Sequence, residues 1–85
     1  MERVKIKYVR NGEEYASLEE LLSIYPDAFK QVSGDFYEGQ YVTVEFLATG
    51  KQYTRKVKYS KKYYADLFIT INGLNYTKIE CVSEY

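Results

Sequence analysis

With 85 residues, 46% of them hydrophobic and 28% charged, the chain has material for one small core, which excludes a disordered polypeptide and leaves no length for a second domain. Twelve basic residues balance twelve acidic ones, and there is no histidine. That absence removes the commonest proton-transfer side chain, the Ser-His and Cys-His nucleophile pairs, and metal sites built from His and Cys.

From Arg3 to Arg10 the sequence alternates, with Val4, Ile6 and Tyr8 facing one way and Lys5 and Lys7 the other, the period of a half-buried strand. Asn11-Gly12 is a strong two-residue hairpin signal that predicts a return strand to about Ala16, with Arg10 opposite Glu13 and Tyr8 opposite Tyr15. Ser17 to Glu20 has capping-box spacing, and Leu18, Leu21, Leu22 and Tyr25 follow along one helical face. Pro26 should stop that helix at Tyr25 and open a second short helix over Asp27 to Val32, followed by a loop from Ser33 to Gly39.

From Gln40 the period becomes two. Val42, Val44 and Phe46 share a face, Thr49-Gly50 turns the chain, and Tyr53, Val57 and Tyr59 share the next face. Counting outward from that turn predicts Phe46 opposite Tyr53, Val44 opposite Arg55 and Val42 opposite Val57. A last hairpin from Ala65 to Val82 turns at Asn72-Gly73, pairing Ile71 with Leu74 and Ile69 with Tyr76. Farther out the apolar side changes to Phe68, Ile79 and Cys81, read as a bulge or as burial on both faces.

These elements predict a single compact α+β domain over residues 1–85: an antiparallel sheet of four to six strands, a meander of hairpins, packed against one short amphipathic helix. Leu18, Leu21, Leu22 and Phe29 are expected on the sheet face made by Val4, Ile6, Val42, Val44, Phe46 and Val57. A small SH3-like or OB-like β-barrel is the alternative architecture. No apolar run approaches the roughly 18 to 20 residues that span a bilayer, and no secretory leader pattern is visible. The lone Cys81 cannot form an internal disulfide, so a cytoplasmic location is expected.

Charge is sorted along the chain. Glu13 to Gly50 holds eight acids against the single base Lys30, and Lys51 to Ala65 holds six bases and no acid. The basic patch Lys51, Arg55, Lys56, Lys58, Lys61 and Lys62 is interleaved with Tyr53, Tyr59, Tyr63 and Tyr64, a combination suited to an acidic protein surface or to nucleic acid. Lys56 and Lys58 on one strand face would lie about 7 Å apart, near the spacing of successive phosphates.

Catalysis is not expected. Glu13-Glu14 and Glu19-Glu20 are adjacent carboxylates that diverge on a helix and form no dyad, and neither a P-loop nor a GxGxxG segment occurs. No cofactor or metal is implied, and Cys81 reads as a small core hydrophobe. The eleven tyrosines exceed what a core of this size absorbs, which leaves Tyr37, Tyr41, Tyr63, Tyr64 and Tyr85 as surface residues. A non-enzymatic protein-binding module follows, with Tyr37, Tyr41, Tyr63 and Tyr64 as contacts and the lysines steering approach. The alternatives are a nucleic-acid binder using residues 51–64, a homodimer formed through an open strand, and an acidic surface over Glu13 to Glu45 that imitates nucleic acid.

The overall composition, rich in Lys, Glu and Tyr and without His or Trp, resembles that of small accessory proteins of Gram-positive bacteria and their phages. The likeness implies an inhibitor or adaptor that acts by binding.

Overall fold

The computed structural model describes residues 8–62 and 66–84. The expected strand at Arg3 to Lys7, together with Tyr63, Tyr64 and Tyr85, lies outside the described residues. Strands β1 (Tyr8–Arg10) and β2 (Glu13–Tyr15) form the hairpin expected at Asn11-Gly12, with Arg10 opposite Glu13 and Tyr8 opposite Tyr15. Both turn residues have positive φ, +49° and +80°, as a primed turn requires. Helix α1 (Leu18–Ile24) follows with Ser17 as its N-cap, the serine hydroxyl accepting from the Glu20 amide at 3.2 Å. The Glu20 carboxylate reaches back to accept from the Ala16 amide at 3.3 Å, one residue beyond the usual partner.

No second helix forms. Residues 29–34 are instead strand β3 (Phe29–Gly34), paired with β4 (Tyr41–Phe46). The reason lies in Ala28 and Phe29, which are both buried but in different cores. Adjacent residues face opposite ways only on an extended chain, and proline at the first turn permits a helix without imposing one.

Strand β5 (Gln52–Lys56) pairs with β4 two residues away from the expected register, with Val44 opposite Tyr53 and Val42 opposite Arg55. Inside the hydrogen-bonded pair Phe46 and Lys51 the loop holds four residues, Leu47 to Gly50, because Leu47 leaves the ladder to β5, packs in the second core and donates to the Ala28 carbonyl at 3.0 Å. A shift of two preserves which residues share a face, so the apolar set still converges. At buried Val57 the chain crosses into another sheet, where β6 (Lys58–Ser60), β7 (Asp66–Ile71) and β8 (Leu74–Thr77) pair in sequence. Ile71 lies opposite Leu74 and Ile69 opposite Tyr76, as expected. The change of apolar side after β8 comes from a 3-10 turn at Lys78–Glu80 rather than a bulge, and β9 (Val82–Glu84) then pairs with β1.

The molecule is α+β with mostly antiparallel strands, but these strands form three three-stranded sheets, β2-β1-β9, β3-β4-β5 and β6-β7-β8, instead of one meander. There are two cores. The larger, between the second and third sheets, contains Phe29, Phe36, Val42, Val44, Val57, Ile69, Ile71 and Tyr76. Its aromatic centre is a set of edge-to-face contacts, Phe29 to Phe46 at 6.1 Å, Phe29 to Tyr76 at 5.5 Å and Phe46 to Tyr53 at 5.5 Å. The smaller core joins α1 to the first sheet through Tyr15, Leu21, Ala28 and Val82. The helix leucines therefore do not pack on Val42, Val44, Phe46 and Val57, and only Phe29 of the expected set does. Two cores side by side account for the elongation to 47 × 26 × 21 Å.

The small core has a polar margin. The Arg10 guanidinium lies 3.6 Å from the Tyr25 ring centre, and the Tyr15 hydroxyl donates to the Glu13 carboxylate at 2.5 Å. That hydrogen bond, with burial second, pushes the Tyr15 phenol from its ordinary value of 10.0 up to about 12. A folded-state value above the unfolded one adds stability that is complete below pH 10 and lost as pH rises toward 12. Tyr15→Phe should therefore flatten the decline of melting temperature across this alkaline range. Equal slopes for the two proteins in stepped-pH thermal melts would contradict the assignment.

Candidate functional site

The loop between β3 and β4 is anchored from within. Phe36 is buried in the large core. Tyr37 points outward at 62% exposure, with the Lys78 ammonium 5.6 Å from its ring centre. The Gln40 amide donates to the Tyr37 carbonyl at 3.0 Å, the Gly39 amide to the Val57 carbonyl at 2.9 Å, and the Val57 amide to the Gln40 carbonyl at 2.8 Å. The acidic loop is thus tied to the basic stretch where the chain changes sheets.

Tyr41, 63% exposed, opens β4 directly opposite Lys56 on β5. Beside this pair is a surface depression of about 410 Å³ lined by Glu38, Gly39, Lys56, Val57, Lys58 and Tyr59. The fold brings together Tyr41, Lys56 and Lys58 from the expected set and adds Glu38 and Tyr59. Tyr59 was expected on the core face because residues 53–59 read as one strand. The break at Val57 leaves its ring 40% exposed, and the alternation of Lys56, Val57 and Lys58 does not mark it, since the same pattern suits an unbroken strand.

The other basic residues are dispersed. Lys51 is at the far end of β5, about 17 Å from Lys56 at the rise of an extended chain. Arg55 is half-buried on the Val42 side of the sheet, donating to the Thr54 carbonyl at 2.9 Å with its guanidinium 5.4 Å from the Tyr53 ring centre. Lys61 and Lys62 are exposed just beyond β6. Lys56 and Lys58 do not share one strand face, since β5 ends at Lys56. The ion pairs among the described residues are those of Lys30 with Glu45 at 3.8 Å and with Glu84 at 3.4 Å, so Lys51, Lys56, Lys58, Lys61 and Lys62 have no described carboxylate within reach.

Cys81 is half-buried beside Phe29, and burial pushes its thiol pKa up against the smaller lowering effects of the Gln31 amide and Lys78. It should alkylate more slowly than a free cysteine at neutral pH and speed up in denaturant. A native rate equal to the denatured one would contradict this placement. No three-residue cluster of metal-ligating side chains occurs among the described residues, and no helix there is long and apolar enough to cross a membrane.

These features define a small α+β chain with a mixed tyrosine and lysine surface. No protein family model, curated protein or solved structure matches it.

Proposed function

We propose that the protein is a non-enzymatic binding module whose partner is a protein with an acidic surface patch, engaged through Tyr37, Tyr41, Tyr59, Lys56 and Lys58. The observation that carries this reading is the cross-strand pairing of Tyr41 with Lys56 beside the depression between the acidic loop and β6. A tyrosine exposed on a paired strand offers large contact area at little ordering cost, and lysines without described ion partners lose no existing pair when an acidic surface approaches. Lys61 and Lys62 add long-range steering.

The test is affinity capture from host extract followed by titration of the captured partner with purified wild-type protein and the Tyr41→Ala, Lys56→Ala double variant. Loss of about tenfold or more in affinity is expected from truncating a central aromatic and its cation. Unchanged affinity would defeat the assignment. Tight binding of single-stranded DNA or RNA at about 50 mM salt, falling steeply as salt rises, would instead favour the nucleic-acid reading.

A further inference from the structure

Strands β3 and β9 start side by side at a single parallel bridge between Phe29 and Cys81, and among the described residues no further pairing joins them. β3 is already paired on its other side with β4, and β9 on its other side with β1. Between their open edges runs a cleft of about 590 Å³ lined by residues 30–34 of one and 81–84 of the other.

Backbone direction follows from the registers. The Phe46 amide and carbonyl bond to Lys51 and Gly50, on the β5 side, at 3.0 and 2.8 Å. By the alternation of antiparallel pairing, Phe46, Val44 and Val42 all face β5, so their β3 partners Phe29, Gln31 and Gly34 turn their backbone groups away from β4 and into the cleft. On the opposite wall, the two-residue Asn11-Gly12 turn makes Arg10 and Glu13 a hydrogen-bonded pair. Val9 then bonds Ser83, which leaves Val82 and Glu84 facing the cleft. Apart from the groups spent at the Phe29–Cys81 bridge and the Gln31 amide, which bonds the Cys81 thiol, both walls present main-chain donors and acceptors. Gly34 has its carbonyl covered by the Gln31 side-chain amide at 2.6 Å.

We propose that this cleft binds an extended peptide carrying a basic side chain, which enters antiparallel to both β3 and β9 and joins the first two sheets into one. Two walls running the same way accept one strand antiparallel to each, the more stable pairing. Charge selects the basic residue, since Glu45 and Glu84 share the single ammonium of Lys30 and leave a surplus carboxylate at the rim. Val32, 45% exposed, gives the peptide an apolar contact. This surface is separate from the tyrosine and lysine surface and does not rest on its role.

The probe is an end-blocked peptide of alternating valine and lysine, titrated by fluorescence anisotropy, with amide hydrogen exchange of the complex. Saturable binding is expected, with slowed exchange at Gly34 and Glu84. Glu84→Pro removes a cleft-facing amide together with the Glu84 carboxylate, without touching the ladder to β1, and should weaken binding about fivefold or more relative to Glu84→Gln, which removes the charge alone. Glu84→Gln should narrow the preference over an alternating valine and glutamate peptide, and Gln31→Ala, by uncovering the Gly34 carbonyl, should tighten binding. Tyr41→Ala should leave it unchanged. The proposal is overturned by absence of saturation, by equal affinity for the glutamate peptide, or by affinity in a folded Glu84→Pro protein equal to that of Glu84→Gln. It is equally overturned if light scattering finds a dimer in which those amides are already protected, since a second copy would then hold the cleft.

Discussion

Replacing Phe29 with alanine is expected to lower the melting temperature by about 12 °C or more. The side chain is 1% exposed and makes edge contacts with both Phe46 and Tyr76. Truncating a fully buried phenylalanine costs about 3–5 kcal/mol, since the lost transfer energy is joined by a cavity that rigid neighbours cannot fill. In a domain of this size each kcal/mol moves the midpoint by about 4–8 °C. Phe29→Leu should recover much of the loss. A shift below about 4 °C for the alanine variant, read by circular dichroism, would mean that the aromatic centre does not hold the large core together.

Gly34→Ala is the second large effect. Gly34 sits at φ +79°, and an added methyl would overlap the Tyr41 carbonyl oxygen and crowd the Val42 Cα, both backbone atoms that cannot swing aside. Gly39 provides the control, because its φ of +83° carries the same conformational cost while no atom lies near the methyl position. Gly39→Ala should cost about 1–2 kcal/mol from left-handed geometry alone. Gly34→Ala should cost at least about twice that and should also displace Tyr41, weakening partner binding beyond what reduced stability explains. Equal denaturant midpoints for the two variants would refute the close approach of β3 to β4.

Hairpin turns were the most legible part of the chain. Asn11-Gly12 and Asn72-Gly73 demand positive φ at the turn, and that local requirement set both registers correctly. Ser17 likewise marked the helix start. Misreadings came where a distant partner decides. Within the expected second helix the chain from Phe29 onward is strand because Ala28 and Phe29 are claimed by two different cores, which no window centred on Pro26 reveals. Leu47 is withdrawn from its hairpin by the carbonyl of Ala28, and Thr49-Gly50 alone could not indicate that. At the proposed binding surface, exposure of Tyr37 and Tyr41 followed from a surplus of rings over core positions. The meeting of Tyr41 with Lys56 depended on the corrected register.

The junction of the two cores has a consequence for how the molecule comes apart. Ala28 and Val82 face one interior while their chain neighbours Phe29 and Cys81 face the other, so two adjacent dipeptides act as a party wall between rooms. Damage confined to the smaller room, such as Leu21→Ala, should let the helix end open while amides around Ile69 and Val44 stay locked, giving two tiers of native-state exchange. Damage to the wall itself should collapse both tiers into one.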